Sequence, residues 1–453
     1  MQGSEKKIDS SGKRFCSLLA LCPVIISLCF FLPVSVSGET ITAGETLTLQ
    51  RAIDIALKNQ PSILAGQSAV RANEATIGQA RANYYPQLNA SGSYSRSYSE
   101  TTSTATGFTG GVSSTTTSTY RDQYASSVGL SQTIFDFGKT PTQVRINSLN
   151  TEASRFDLNN TINTVVFNVK QAFYNVLQAQ RNRNVASESV KQFQQHLNQA
   201  QGFYTVGTKA KIDVTKAEVD LSNARLNLIK AENQARLSRV TLNNAMGIPD
   251  VPDYNLEDNL LYAKYGLPFD EALSKVHSQR PDLQSLIKKK EAAKESVNLA
   301  RKGYFPVLSG TANYNYSGSD FPLNNGWNYG ANISIPLFSG FETKYRVAQA
   351  QANYDAVVAN EQSLRLDIYS QVQQAYLSLR QADESIVASE LAVKQAKENV
   401  ELATGRYQAG VGSPLEVTDA LVSLNNAQVA YTQALTDYKN AQASIEKAIG
   451  VRE

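Results

Sequence analysis

Glu416 and Asp419 are the acidic pair whose spacing first invites a chemical reading. They lie three residues apart in a stretch patterned as helix, so they share one face. Carboxylates placed this way concentrate cations wherever symmetry repeats them around a constriction. A plainer role stands beside that one for Glu416, because Ser413-Pro414-Leu415-Glu416 is a capping-box pattern with proline at the first helical position. The residue types that run catalysis give less to work with. The two histidines, His196 and His277, each fall on a patterned helix with no partner motif, which reads as a packed or surface role. No phosphate loop, zinc spacing or nucleophile elbow is present, so we expect no enzyme and no cofactor.

The elements that would position Glu416 and Asp419 are long. The chain has 453 residues with 13 prolines and 26 glycines, few breakers for that length. A net charge of +3 is spread without a Lys/Arg block or aromatic-basic interleaving, which argues against a nucleic-acid partner. Residues 1–38 read as a secretory signal: Lys6, Lys7, Lys13 and Arg14 precede an apolar run from Phe15 to Val34, with cleavage expected near Gly38. Cys16, Cys22 and Cys29 all fall inside it, so the mature chain is expected to hold no disulfide or thiolate metal site. Leu21 and Leu28 precede two of these cysteines, which disfavours lipid anchoring. No later apolar stretch approaches the ~20 residues of a spanning helix, so a membrane would have to be crossed by strands.

The chain reads as an internal twofold repeat, 39–264 and 265–453. Pro61 pairs with Pro281 and Pro86 with Pro306 at an offset of 220; further on, Asp213 pairs with Glu416 and Gly247 with Gly450 at 203. The difference is a Ser/Thr/Gly-rich insert, Ser97 to Gln123, expected to be a flexible surface loop. Each half then reads helix, strand, loop, strand, long helix, turn, long helix. From Pro141 to about Gln201 the helix would run roughly 90 Å. Ile162, Val166, Val169, Phe173 and Val176 step by four and three, as do Leu221, Ala224, Leu228, Ala231 and Ala235, and Leu424, Ala427, Tyr431, Ala434 and Tyr438. These are coiled-coil seams.

Four segments, 87–97, 124–135, 307–317 and 328–338, alternate with period two. Leu88, Ala90, Gly92 and Tyr94 oppose Asn89, Ser91 and Ser93, and the other three do likewise. An apolar face with tyrosines and a small polar face suit lipid outside and water inside. Four strands cannot close, and an open edge in lipid leaves backbone groups unpaired. Three chains of four strands would give a closed twelve-stranded barrel around water.

The repeat, the Tyr85-Pro86 and Phe305-Pro306 joints, the Phe135-Asp136-Phe137-Gly138 and Pro336-Leu337-Phe338-Ser339-Gly340 exits, and the turns Tyr204-Thr205-Val206-Gly207 and Tyr407-Gln408-Ala409-Gly410 together resemble the TolC-type outer-membrane efflux protein family over nearly all of the mature chain. The resemblance implies a mixed α and β membrane protein. Its trimeric β-barrel would sit in outer-membrane lipid of a Gram-negative bacterium and continue into a long periplasmic α-helical barrel of coiled-coil pairs. It implies a homotrimer that is the passive channel of a tripartite efflux or type I secretion system, with a periplasmic adaptor and an inner-membrane pump as partners.

Carried over residue by residue, the family's gate falls on Asp213, Tyr407, Glu416 and Asp419, and its adaptor-facing tips on Val206, Gly207, Thr208, Ala409, Gly410 and Val411. Gly412 stands where one branch of the family has an arginine, and Lys209 or Lys211 is the expected substitute. In the first copy Asp213 and Lys216 occupy the places of Glu416 and Asp419, so charge is offset there. The rival readings are a secreted trimeric coiled-coil adhesin, which leaves the four alternating strands unexplained, and a soluble periplasmic scaffold.

Overall fold

Gly247 and Gly450 show how the long helices are built. Each closes a helix in the left-handed region, at φ 76° and 88°, and each sits so tightly on the start of another helix that a side chain would not fit. A Cβ on Gly247 would lie 2.9 Å from the Asn59 carbonyl oxygen, and one on Gly450 2.8 Å from that of Gln279. Two pairs of shorter helices are therefore stacked end to end. The stacking is seen in a computed structural model that describes residues 41–106, 108 and 112–451; the expected signal segment and its three cysteines lie outside them.

In chain order the elements are β1 (Thr46–Leu47), α1 (Leu49–Asn59), α2 (Pro61–Arg81), β2 (Gln87–Thr106), β3 (Val112–Phe135), α3 (Lys139–Thr205), α4 (Lys211–Met246), β4 (Asn255–Leu256), α5 (Phe269–Gln279), α6 (Pro281–Arg301), β5 (Val307–Gly318), β6 (Asn324–Ser334), α7 (Glu342–Gln408) and α8 (Pro414–Ile449). Helices α3 and α7 have 67 residues each, and α4 and α8 have 36 each. At 1.5 Å per residue the longer pair each run roughly 100 Å. Helix α4 ends on α2 and α8 ends on α6. At the first joint Gln60 Nε2 donates to the Asn244 and Ala245 carbonyls at 3.3 and 3.0 Å; at the second, Arg280 Nη1 donates to the Ala448 carbonyl at 3.2 Å. These bonds satisfy last-turn carbonyls that would otherwise lack a donor.

Helix α3 packs against α4, α2, α6 and α8, and α7 against α8 and α6. The expected seams line these contacts: Val169, Phe173, Val176, Leu221, Ala224, Ala235, Leu424, Ala434 and Tyr438 are buried. Around the α4–α2 joint, Leu47 of β1, Ile55 of α1, and Tyr254 and Leu260 on either side of β4 join the core. Inside it Lys170 on α3 and Glu446 on α8 pair at 2.6 Å, with the Tyr174 hydroxyl nearby pushed up to about 12 by burial and the Glu446 carboxylate.

The four longer strands form one antiparallel sheet in the order β2-β3-β5-β6. Leu88, Val128, Leu130, Tyr314, Trp327 and Tyr329 are on one face; Asn89, Ser91, Ser127, Asn315 and Asn328 are on the other. Among the described residues, the outer edges of β2 and β6 have no partner strand.

The insert departs from expectation. Ser97 to Gln123 is a continuation of β2 and β3, paired rung by rung to Thr106↔Val112, and the strands end at 106 and begin at 112 rather than at 97 and 124. Polarity rules out a buried core but not a ladder in water: threonine is β-branched, and facing hydroxyls bond across the strands, as Thr102 and Thr116 do at 3.2 Å and Tyr98 to Ser118 at 3.1 Å. Above the Tyr94↔Tyr124 rung this ribbon stands without β5, which ends at Gly318 opposite Tyr124. The β5–β6 pair also shifts slightly from the expected bounds, to 307–318 and 324–334. Pro336 cannot donate to a ladder, and the chain leaves the sheet before it.

Candidate functional site

The turns between α3 and α4 and between α7 and α8 close the two long hairpins. Both are Schellman turns. Gly207 at φ 75° and Gly410 at φ 78° take the left-handed position; Thr208 N donates to the Phe203 carbonyl at 3.0 Å and Val411 N to that of Arg406 at 3.1 Å. Val206, Gly207, Thr208, Ala409, Gly410 and Val411 are all exposed, and no heavy atom lies within 4 Å of a Cβ built on either glycine. The two turns thus present small side chains and backbone to the surroundings.

Just inside them the hairpins share one apolar core. Phe193, Leu197 and Ala200 of α3, Ala217 and Leu221 of α4, Ala403 and Tyr407 of α7, and Val417, Ala420 and Leu421 of α8 pack together. Tyr407 is fully buried, its ring centroid 5.3 Å from that of His196 and 5.4 Å from that of Phe203, and Lys209 Nζ lies 5.5 Å from the ring centre. Burial, helped by the Asp213 carboxylate, pushes the Tyr407 hydroxyl above its ordinary range. Placed this way, Tyr407 and Lys209 tie the α3–α4 turn to α7 from within the protomer; Lys211 is exposed.

Glu416 and Asp419 are both exposed on the first turns of α8. Ser413 caps that helix, its Oγ accepting from Glu416 N at 3.2 Å, so the capping pattern forms through the serine. The Glu416 carboxylate instead turns to Arg406 Nε on α7, at 3.2 Å. Sequence reasoning missed Arg406. Its signal was present, since an arginine one residue before Tyr407 reaches the start of the next helix across so short a turn. Gly412 also has a structural reason: a Cβ there would lie 2.8 Å from Tyr407 N and 2.9 Å from the Arg406 carbonyl carbon. Only glycine lets the turn fold back that closely. Higher up, Asp220 of α4 accepts from Thr418 Oγ1 of α8 at 2.9 Å and lies 3.8 Å from Lys216 Nζ.

The site is therefore a pair of exposed turns over a shared four-helix core, with acids on its rim. Among the described residues no group of three or more His, Cys, Asp or Glu side chains is placed to hold a metal ion, and no helix is long and apolar enough to cross a membrane.

Comparison with known proteins points the same way. The chain is 25% identical over 419 residues to the probable efflux pump outer membrane protein TtgC of Pseudomonas putida, covering 89% of this chain and 82% of that protein. It is 23% identical over 457 residues to the outer membrane protein TolC of Escherichia coli, covering 95% and 86%. The fold is shared with the CmeC outer membrane channel of Campylobacter jejuni, at a TM-score of 0.75 and 22% identity over 89% of this chain and 85% of that one. It is shared too with the outer membrane protein VceC of Vibrio cholerae, at 0.72 and 19% over 89% and 96%. Residues 52–248 and 272–451, which take in both hairpins and the sheet, match the sequence profile of the family described as outer membrane efflux protein, and the chain belongs to that family.

Proposed function

We propose that this protein is the outer-membrane channel of a tripartite efflux or type I secretion system, working as a homotrimer that passively conducts what an inner-membrane pump delivers through a periplasmic adaptor. One observation carries the reading: the protomer is unfinished along both margins. Strands β2 and β6 each keep an unpaired edge. On the helical side α4 exposes Ile212, Val219, Leu226, Ile229, Leu237 and Val240, and α7 exposes Leu366, Tyr369, Leu377, Val387, Leu391 and Leu402. At 3.6 residues per turn each set falls within an arc of roughly 100°, a continuous apolar stripe.

Edges and stripes on opposite margins are satisfied when copies join side by side in a ring. The sheet supports three copies over two. Two copies would make eight strands, whose interior side chains fill, whereas three make twelve strands and leave a lumen for the Asn and Ser face. That each half of the chain copies the other is supported by the equal lengths of α3 and α7 and of α4 and α8. An efflux role is supported by relatives named as efflux-pump outer membrane proteins.

In this reading the exposed turns, Val206 to Thr208 and Ala409 to Val411, meet the adaptor. Glu416 and Asp419, with Asp213, ring the inner mouth, while Tyr407 and Lys209 hold it closed. Replacing Leu377 and Val387 together with aspartate should prevent assembly, read by native mass spectrometry from mild detergent. A double variant that remained trimeric would overturn the ring arrangement.

A further inference from the structure

His196 is 3% exposed, within the four-helix core behind the turns, and among the described residues its Nδ1 has no hydrogen-bond partner; neither has the hydroxyl of Tyr407, whose ring it faces. Two polar groups are thus buried unsatisfied in the contact that joins the α3–α4 hairpin to the α7–α8 hairpin. Unsatisfied buried groups cost stability, so the packed contact is held against a penalty that parting the hairpins relieves.

We propose that His196 is a proton-sensitive wedge: neutral, its ring packs between the hairpins and keeps them together, and protonated, it drives them apart.

The proposal rests on the reading of the turns as the inner mouth. The charged and titratable groups facing the ring decide the sign. From α4 come Asp220, Lys216 and Asp213, from α7 Tyr407, and from the turn Lys209 on the Tyr407 ring; α8 contributes Val417 and Leu421, with Thr418 bonded to Asp220. Burial pushes the His196 imidazole below its ordinary value; Asp220 and Asp213 pull it back, Lys216 does not, and burial prevails. Asp220 is already engaged by the Thr418 hydroxyl and by Lys216 at 3.8 Å, which weakens its claim on a ring proton.

With hairpins parted the ring meets water and returns toward its ordinary value near 6.5. The parted state therefore binds more protons. Packing is fully favoured above about pH 6.5 and is lost as pH falls from there through the lowered value, below which the loss is complete. Each unit by which packing lowers the ring's affinity for protons gives the parted state about a tenfold gain.

The test uses the full trimer and amide hydrogen exchange read by mass spectrometry, from about pH 7.5 to about pH 5.5, corrected for the intrinsic pH dependence of exchange. Segments 193–205 and 403–421 should lose protection progressively, by up to about tenfold, as pH falls from about 6.5 to about 5.5. The His196→Gln variant, similar in size and unable to titrate, should show a flat profile, and His277→Gln should keep the wild-type one. A flat wild-type profile, or a His196→Gln profile like the parent's, would overturn the proposal. Exchange at the imidazole C2 position, which follows each histidine in the unmodified protein, should give His196 a midpoint below the ordinary value near 6.5; a midpoint at about 6.5 or above would also overturn it. Single-channel conductance over the same range separates the two readings. Exchange that responds to pH while conductance does not would uphold the wedge and overturn the placement of the gate.

Discussion

The Thr418 hydroxyl on α8 donates to Asp220 Oδ2 on α4 at 2.9 Å, a polar tie between the two hairpins laid over the apolar core beneath it. Thr418 is buried, so its replacement by valine keeps the shape and leaves Asp220 without that donor. The loss is about 1–3 kcal/mol. Thr418→Val is expected to raise the open probability of the channel in planar bilayers several-fold, and Thr418→Ser to restore the closed state.

Arg406 sets how much of the rim charge is available. Its pair with Glu416 is solvent-exposed and contributes at most about 1 kcal/mol to stability. Its effect on ions is larger, because it offsets one of the two acids. Arg406→Ala should raise cation preference and Asp419→Asn should lower it, measured as reversal potentials. Both changes should shrink as salt shortens the Debye length below ~10 Å.

Gly412→Arg, which supplies the basic residue that one branch of the family has in this turn, should weaken the turn here rather than latch it. The new Cβ would meet backbone atoms of Tyr407 and Arg406 under 3 Å away, which a side-chain rotation cannot relieve. Limited trypsin digestion at Lys209, Lys211 and Arg406 is expected to be faster than in the parent.

Lys170 and Glu446 form a pair whose side chains are 10% and 13% exposed. Lys170→Met leaves the Glu446 carboxylate largely buried beside Tyr174 without its ion-pair partner, at a cost of about 3–5 kcal/mol. A lower melting temperature should follow, and Lys170→Met with Glu446→Leu should recover most of it, since two apolar groups fill the same space.

The ribbon makes a positional prediction. An epitope tag at Phe108, at the end of the β2–β3 hairpin, should be accessible on intact cells. The same tag at Ser114 should impair assembly, because Ser114 is paired with Thr104 in the ladder.

Helix pairing was legible because proline and periodicity act locally: no proline falls between Pro141 and Pro249, and Val169, Phe173 and Val176 mark the seam that is buried. The exposed turns were legible for the same reason, through glycine at Gly207 and Gly410. The insert at Ser97 to Gln123 was not. Its composition excludes a core, yet pairing of two strands depends on register between residues as far apart as Ser97 and Arg121, which no local pattern carries. The burial of Tyr407 escaped for a related reason. Its partners His196 and Phe203 lie some 200 residues away, and only the return of the second hairpin beside the first brings them together.

The end-to-end helix joints have a mechanical consequence. Along each half of the protomer one helix runs unbroken past a neighbour that is spliced, α3 past the α4–α2 joint and α7 past the α8–α6 joint. A splice held by a few side-chain donors and a left-handed glycine bends and twists far more easily than a ladder of i to i−4 bonds. The unbroken rods bear load along the axis while the splices supply compliance across it. Were the turns to untwist, the splices would take up the change at mid-length and spare the sheet.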